Sequence, residues 1–358
     1  MEKDTVLQIK DLSISFRTHA GLVHAVRGVT FEVHRGETVA LVGESGCGKS
    51  ATVKTIMGIS SSNEVIDSGE ILFTYRDDDG EKTVDLLKLG RRELQRRIKG
   101  QKIAMIFQDP MTSLDPTMSI GRQIMEGMLL HRRLTKRQAW DRAVSLLERV
   151  GIEDPENRMN NYPHQLSGGM RQRIVIAIAL SCDPELLICD EPTTALDVTI
   201  QARILELLLD IQKKTGISII FITHDLGVVA KVSDHVNVMY AGKVVESGTV
   251  DDIFYEPAHP YTWGLLSAMP DINTDGDRLY TIPGSPPNLL NPVRGDAFAP
   301  RNRYALNIDF EAEPPAFPIN PHHWAATWLL DPRAPRIHMP DELRNKIDRL
   351  IAEVDTNG

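Results

Sequence analysis

Apolar and polar residues alternate from Val6 to Phe16 and again from Val23 to Val33, the period of half-buried antiparallel strands. Glu37–Val42 is a short apolar run ending in a glycine-rich turn, and Lys49–Met57 has helical character. Between Ile120 and Val150 the apolar positions Ile124, Met128, Leu129, Ala139, Ala143, Leu146 and Leu147 recur at helical spacing, which predicts a helical insertion. Leu186–Cys189, Ile217–Ile222 and His235–Met239 are then short β-rich runs, separated by helical patterns at Ile200–Lys213 and Leu226–Val232. This is the rhythm of a parallel sheet with crossover helices. No stretch approaches the ~20 apolar residues that span a bilayer, so Ile174–Leu180 reads as a buried helix and Ile217–Ile222 as a buried strand.

Composition divides this picture in two. Only six of the 21 prolines (Pro110, Pro116, Pro155, Pro163, Pro184 and Pro192) precede residue 250. The later segment should therefore consist mostly of turns and extended connections, because proline ends helices and is excluded from central strands. A boundary near residue 250 follows, with 1–250 as one domain and 251–358 as an extension. Forty basic against 49 acidic residues leave a net charge of −9, which argues against non-specific binding of nucleic acid. Cys47, Cys182 and Cys189 are widely spaced and form no C-x-x-C pair, as suits a reducing cytoplasm. The N-terminus runs straight into the first strand without an apolar signal region.

The chemistry begins after the strand Glu37–Val42. Gly43-Glu44-Ser45-Gly46-Cys47-Gly48-Lys49-Ser50 fits G-x-x-x-x-G-K-S between a strand and a helix, the context of a phosphate loop. Its glycines let backbone N–H groups turn inward around phosphates, and the helix N-terminus adds its positive end. Lys49 would reach the β- and γ-phosphates of a nucleotide, and Ser50 would coordinate Mg²⁺. Leu186–Glu191 is an apolar strand ending in two acids, which sets Asp190 at the carboxyl edge of the sheet as a Mg²⁺ partner. Glu191 can then face the γ-phosphate and polarise a water. Standing alone, that strand end reads as an ordinary acidic turn.

Leu166-Ser167-Gly168-Gly169-Met170-Arg171-Gln172-Arg173 resembles the LSGGQ signature of ATP-binding cassette (ABC) proteins, with Met170 in the usual glutamine place. Without that resemblance it reads as a well-capped amphipathic helix, Ser167 being the cap and Gly168 and Gly169 leaving the first turn bare. The other marks of the family follow in order. Phe16 stands where the adenine-stacking aromatic is expected, and Gly43 through Ala51 form the phosphate loop. Gln108 matches the glutamine that senses Mg²⁺ and the water, Ala195-Leu196-Asp197 the loop at the dimer seam, and His224 the switch histidine at the γ-phosphate.

The resemblance implies an α/β P-loop NTPase fold: a RecA-like core, an antiparallel β subdomain and an α-helical subdomain at about 110–165. It implies ATP as ligand, Mg²⁺ as cofactor and ATP hydrolysis as the reaction. Glu191, His224 and Gln108 would be catalytic, and Ser50, Gln108 and Asp190 would lie at the metal. Two cassettes would pair head to tail, so that Ser167, Gly168, Gly169 and Asp197 serve the partner's nucleotide. Two transmembrane permease subunits would complete the assembly, which puts this chain peripherally on the cytoplasmic face of a bacterial plasma membrane.

Beyond residue 250, Pro257-Ala258-His259-Pro260-Tyr261-Thr262 and Ile282-Pro283-Gly284-Ser285-Pro286-Pro287 resemble the proline-rich, irregular extension of oligopeptide and dipeptide importers. The implied function is to power oligopeptide uptake, with a paralogous second cassette and, indirectly, an extracellular peptide-binding protein. An importer for dipeptides, nickel or glutathione, or a soluble ABC ATPase outside transport, remains open. Many members of that group carry four cysteines in the extension, suited to an iron–sulfur cluster. The matching places here are Asp296, Asn302, Asp309 and Thr327, hard oxygen donors, so no such cluster is expected. Packing by Phe298, Tyr304, Phe310, Phe317, Trp324 and Trp328 should hold the extension instead, with His322 and His323 at the surface. In the phosphate loop, the helix end and Lys49 should lower the pKa of the Cys47 thiol.

Overall fold

The structure, a computed structural model, describes residues 4–132, 134–194, 196–269 and 281–357. The alternating segments pair as their period predicts. Strands β1 (Thr5–Thr18) and β2 (Gly21–His34) are antiparallel, with Ile9 opposite Phe31 and Phe16 opposite Val23. With β4 (Glu64–Asp77) and β5 (Gly80–Asp85) they form a four-stranded sheet in the order β2-β1-β4-β5.

The apolar runs make the second sheet. β3 (Thr38–Val42), β6 (Ile103–Ile106), β7 (Leu186–Asp190), β8 (Ser218–Ile222) and β9 (His235–Tyr240) are its parallel part, in the order β9-β3-β8-β7-β6. Every residue of β3, β7 and β8 is buried, because both faces of these strands are covered. Val39, Leu41, Ile188 and Ile220 pack toward Leu7, Ile9 and Phe73 of the antiparallel sheet. Leu187, Cys189, Ile219 and Phe221 pack on the opposite face, against helices.

Those helices include the predicted insertion. Helix α1 (Lys49–Ile56) follows the glycine-rich turn, and the insertion is α2 (Ile120–His131) and α3 (Lys136–Arg149). Thr135 and Gln138 form a capping box that starts α3. Ile124, Met128, Ala139, Ala143, Leu146 and Leu147 enter the core with residues of α4 (Gly168–Leu180) and α5 (Val198–Thr215). Leu129, read from the sequence as part of that apolar stripe, is 39% exposed instead. Helix α6 (Leu226–Val232) completes the crossovers. Among the described residues, no helix is long and apolar enough to cross a membrane.

The later segment is built onto the second sheet. β10 (Lys243–Thr249) pairs antiparallel with β9, and the two-residue strands β12 (Trp324–Ala325) and β11 (Phe317–Pro318) continue outward to make eight strands. One core serves both parts: Ala40, Val42 and Tyr240 pack with Tyr261, Trp263, Phe298, Leu343 and Ile347. Ring centroids there lie 4.7 Å apart for Tyr240–Tyr261, 5.2 Å for Tyr240–Phe298 and 5.3 Å for Tyr261–Phe298, at tilted and edge-on angles favourable for aromatic pairs.

The segment is mostly turn and extended chain, as its prolines require, with helices at α7 (Val250–Tyr255), α8 (Pro260–Ser267) and α9 (Asp341–Asn357), the last beginning immediately after Pro340, the last proline in the chain. Two other expectations are corrected. Phe310 is 53% exposed and anchors nothing, whereas Phe298 is buried, Tyr304 packs on Trp263 and Phe317 on Trp328. His322 is at the surface as read, but His323 is buried against the fully buried Glu246, 2.9 Å from its Oε1. Glu246 also accepts the N–H groups of Ala258 and His259, so one carboxylate joins β10 to two segments of the extension.

The four oxygen-bearing places have a common use. Asp296 accepts the N–H of Phe298, Asn302 that of Tyr304, Asp309 that of Leu306 and Thr327 that of Leu329. Each side chain closes its own backbone turn, the bond that short Asp, Asn and Thr side chains make best. The turns are also tied together, Asp296 N–H donating to the Asp309 carbonyl at 2.7 Å.

Candidate functional site

Four parallel strands deliver the predicted site residues to one carboxyl edge of the sheet. Ile106 of β6 lies level with Cys189 of β7, and Asp190 with Ile222 of β8. The residues just beyond those strand ends, Gln108, Glu191 and His224, therefore meet although they are far apart in sequence. Gln108 Nε2 donates to Glu191 Oε2 at 2.9 Å, Thr194 Oγ1 donates to the same oxygen at 3.0 Å, and His224 Nδ1 stands 3.4 Å from Glu191 Oε1. Glu191 itself has φ 47°, a left-handed conformation that is costly for a side chain of this kind and recurs at functional sites. Its N–H bonds the Ile222 carbonyl, which helps hold that conformation.

Asp190 points the other way, into the sheet edge beside the glycine-rich turn. Ser50 Oγ donates to its Oδ1 at 3.0 Å. Burial pushes the Asp190 carboxyl above the usual carboxylate range, against the opposing pull of the Ser50 hydroxyl and of Lys54. Ser50 and Asp190 thus present adjacent hard oxygens in a partly dehydrated place, the donor chemistry of Mg²⁺. Among the described residues, no three His, Cys, Asp or Glu side chains gather to hold a metal. Mg²⁺ commonly takes only one or two carboxylates with phosphate and water, so the Ser50–Asp190 pair fits an ion bound together with a nucleotide.

The turn from Gly43 to Ser50 is shaped by its glycines. Gly48, at φ 104°, is the N-cap of α1, and a Cβ there would lie 2.6 Å from the Ala25 carbonyl oxygen. Gly46, at φ 81°, has nothing within 4 Å of such a Cβ, so the open side of the turn lies there. Ser45 and Gly46 are exposed, and Ala51 is half-buried behind them. Lys49 is buried, its Nζ donating to the carbonyls of Gly43 at 2.7 Å and Glu44 at 3.0 Å. The loop thus holds its own cation through two of its carbonyls.

Cys47 corrects the sequence reading. Burial pushes its thiol pKa up and outweighs the opposing pull of Lys49, whose Nζ lies 3.6 Å from the sulfur. The side chain is 5% exposed and belongs to the core beneath the loop. In the folded, ligand-free protein, Cys47 should therefore react with maleimide much more slowly than a free cysteine, whose pKa is about 8.5. Peptide mass spectrometry after timed labelling checks this, and rapid labelling of Cys47 would contradict the buried, neutral thiol.

The remaining predicted residues lie apart from this group. Phe16 is half-buried on β1 and packs on the same core as Ala51. Ser167 caps α4, accepting the N–H of Met170 at 3.3 Å, and Ser167 and Gly168 are exposed. A Cβ on Gly169 would meet Ile200 at 3.0 Å, which explains a small residue where α4 approaches α5. Asp197 caps α5 through the N–H of Ile200 at 3.0 Å, beside Val198, which is 82% exposed. Ala195 lies outside the described residues.

Two residues at the turn escaped the sequence reading. Tyr261 Oη accepts the Glu44 N–H at 2.9 Å, and Arg301 grips the Glu44 carboxylate at 2.6 and 2.9 Å. Glu44 therefore does not offer its N–H to a phosphate, as a uniform reading of the loop would have it. Both residues stood in segments read only as marks of the importer extension.

Comparison with known proteins bears on this geometry. Residues 26–194 match the family described as ABC transporter, and residues 245–308 match the oligopeptide/dipeptide transporter C-terminal region. The chain is 56% identical to the dipeptide transport ATP-binding protein DppD of Lactococcus lactis subsp. cremoris, over 96% of both chains. It is 55% identical to the oligopeptide transport ATP-binding protein OppD of Bacillus subtilis, over 96% of this chain and 94% of that one. Among solved structures, CbiO1 of Clostridium perfringens, part of the ABC transporter complex CbiONQ, is 32% identical and covers 71% of this chain and 92% of its own at a TM-score of 0.58. The ATP-binding cassette MJ0796, solved as a dimer in a post-hydrolysis state with ADP and phosphate, shares the fold at a TM-score of 0.58, covering 68% of this chain and 98% of its own.

Proposed function

The chain belongs to the ABC transporter family, in its oligopeptide/dipeptide group, and on that premise we propose that it binds and hydrolyses ATP to power a peptide importer. The observation that carries this reading is the Glu191 carboxylate, bonded by Gln108 and faced by His224, one residue from the Ser50–Asp190 pair. In this reading residues 1–250 are the cassette and 251–358 the importer extension.

Each residue then has a task. The backbone from Ser45 to Gly48 and Lys49 hold the triphosphate, and Phe16 stacks on the adenine. Ser50 and Asp190 would hold Mg²⁺ with Gln108 nearby, and the ion would supply neutralisation of the phosphates' negative charge. Glu191 accepts a proton from the attacking water as its oxygen bonds the γ-phosphorus. The bond to the β–γ bridging oxygen breaks in line, and ADP leaves as the electron pair's acceptor. His224 and Gln108 orient the water and the transferring phosphoryl group. Left-handed backbone at Glu191 aims the carboxylate outward from the strand end, where the next residue of a regular strand would turn aside.

The exposed N-terminus of α4, with Ser167 and Gly168 bare, supports a head-to-tail partner whose nucleotide this helix end would meet. Asp197 at the start of α5 would stand at the same seam. The partner is a second cassette, a paralogue, and both dock on two permease subunits at the cytoplasmic face of the membrane. Nucleotide binding drives the machine because closed and open pairs bind ATP with different affinity.

The test is uptake by proteoliposomes containing the co-expressed permease subunits, paired cassette and peptide-binding protein, with ATP inside. Labelled tri- to hexapeptides should accumulate only with ATP. Accumulation of dipeptides, nickel or glutathione to the exclusion of longer peptides would move the substrate assignment to that solute.

A further inference from the structure

Glu44 lies in the phosphate loop, yet it is held from the extension. Its carboxylate receives two parallel bonds from Arg301 Nη1 and Nη2, at 2.6 and 2.9 Å, and its N–H donates to Tyr261. Its carbonyl accepts Lys49 Nζ, so the residue that the extension grips is bonded directly to the loop's cation.

Arg301 is 7% exposed and its other donors are also used. Nε donates to the Pro283 carbonyl at 2.8 Å, Nη1 to Tyr240 Oη at 3.2 Å and Nη2 to the Ile282 carbonyl at 3.4 Å. The guanidinium lies 5.7 Å from the Tyr240 ring centre and 6.0 Å from that of Phe298. A fork so placed, with its planar donors matched to a carboxylate, fixes orientation as well as charge. Glu44 is the sole acid between Gly43 and Ser50. Left free, it would stand as a negative charge beside an incoming triphosphate.

We infer that Arg301 is a positioning residue for the nucleotide site: through Glu44 it fixes the phosphate loop to the extension and neutralises the loop's own carboxylate. This rests on the reading of residues 43–50 as the ATP site. The extension is thereby a working part of the nucleotide site and not only an appendage packed behind it.

The experiment titrates a fluorescent ATP analogue into full-length protein and measures ATPase turnover of the assembled transporter. Arg301→Ala should raise Kd about tenfold, in the range of direct side-chain couplings, while kcat at saturating ATP stays within about twofold. Adding Glu44→Gln to Arg301→Ala should weaken binding no further, because both substitutions break one interaction. Arg301→Lys, which keeps the buried charge and one bond, should show an intermediate Kd and gives the same reading if the alanine variant does not fold.

Unchanged affinity in Arg301→Ala or Arg301→Lys, even with a lowered melting temperature, overturns the inference. So do losses that multiply in the double variant. Lys49→Ala is the control that separates the two levels: normal ATP affinity there sinks the site itself, whereas loss at Lys49 with none at Arg301 sinks only the role of Arg301.

Discussion

Glu191→Gln should leave ATP binding intact and lower the steady-state ATPase rate of the assembled transporter by about 10³-fold, within the range for loss of a general base. The substitution keeps the side chain's shape and an oxygen to accept the 2.9 Å bond from Gln108, so the strand end at φ 47° has no cause to rearrange. What it removes is the proton acceptor that His224 and Gln108 frame. The pre-hydrolytic pair should then persist, and size-exclusion chromatography of the variant with its partner cassette and ATP should show a stable dimer. Turnover near that of the unaltered protein would take Glu191 out of the chemistry and leave its hydrogen bonds a structural feature of the strand end.

Lys49→Ala should act one step earlier and raise Kd for ATP by about 100-fold or more. Its buried ammonium sits on the carbonyls of Gly43 and Glu44, in the loop proposed to take the phosphates. Removing it loses charge-assisted bonds to the phosphates, each worth about 1.5–3 kcal/mol, and tenfold in Kd corresponds to about 1.4 kcal/mol. Calorimetric titration of ATP into the folded variant checks this directly. Unaltered affinity would refute the phosphate site, whereas lost affinity with an unchanged melting curve ties the effect to the ligand.

The two variants separate binding from chemistry. A protein that loses affinity in the first and turnover in the second uses the sheet edge as proposed. The same distinction marks Arg301, which should alter affinity alone. Its effect is expected to be smaller than that of Lys49 because it reaches the phosphates only through Glu44.

Much was legible in the chain itself, because the signals were local. Alternation revealed β1 and β2, unbroken apolar runs revealed β3, β7 and β8, and three-four spacing revealed the helical insertion. The turn between β3 and α1 announced itself by glycine spacing, and Ser167 by the helix that it caps. Such features depend on residues a few positions apart, whose backbone bonds and steric limits do not wait for the rest of the fold.

Only tertiary structure decided the remainder. Arg301 and Glu44 meet across 257 positions, and His323 and Glu246 across 77, with no local pattern to announce either pair. Adjacent histidines look alike in sequence, yet the extension strands bury His323 and leave His322 in solvent. The helix end and Lys49 pointed to a lowered pKa for Cys47, but burial in the core beneath the loop overrides the neighbouring charge. The chain alone determined which chemical groups the protein owns and which elements carry them. Sheet register and burial decided which groups touch and which charges keep their solvent, because both depend on surfaces assembled from distant segments.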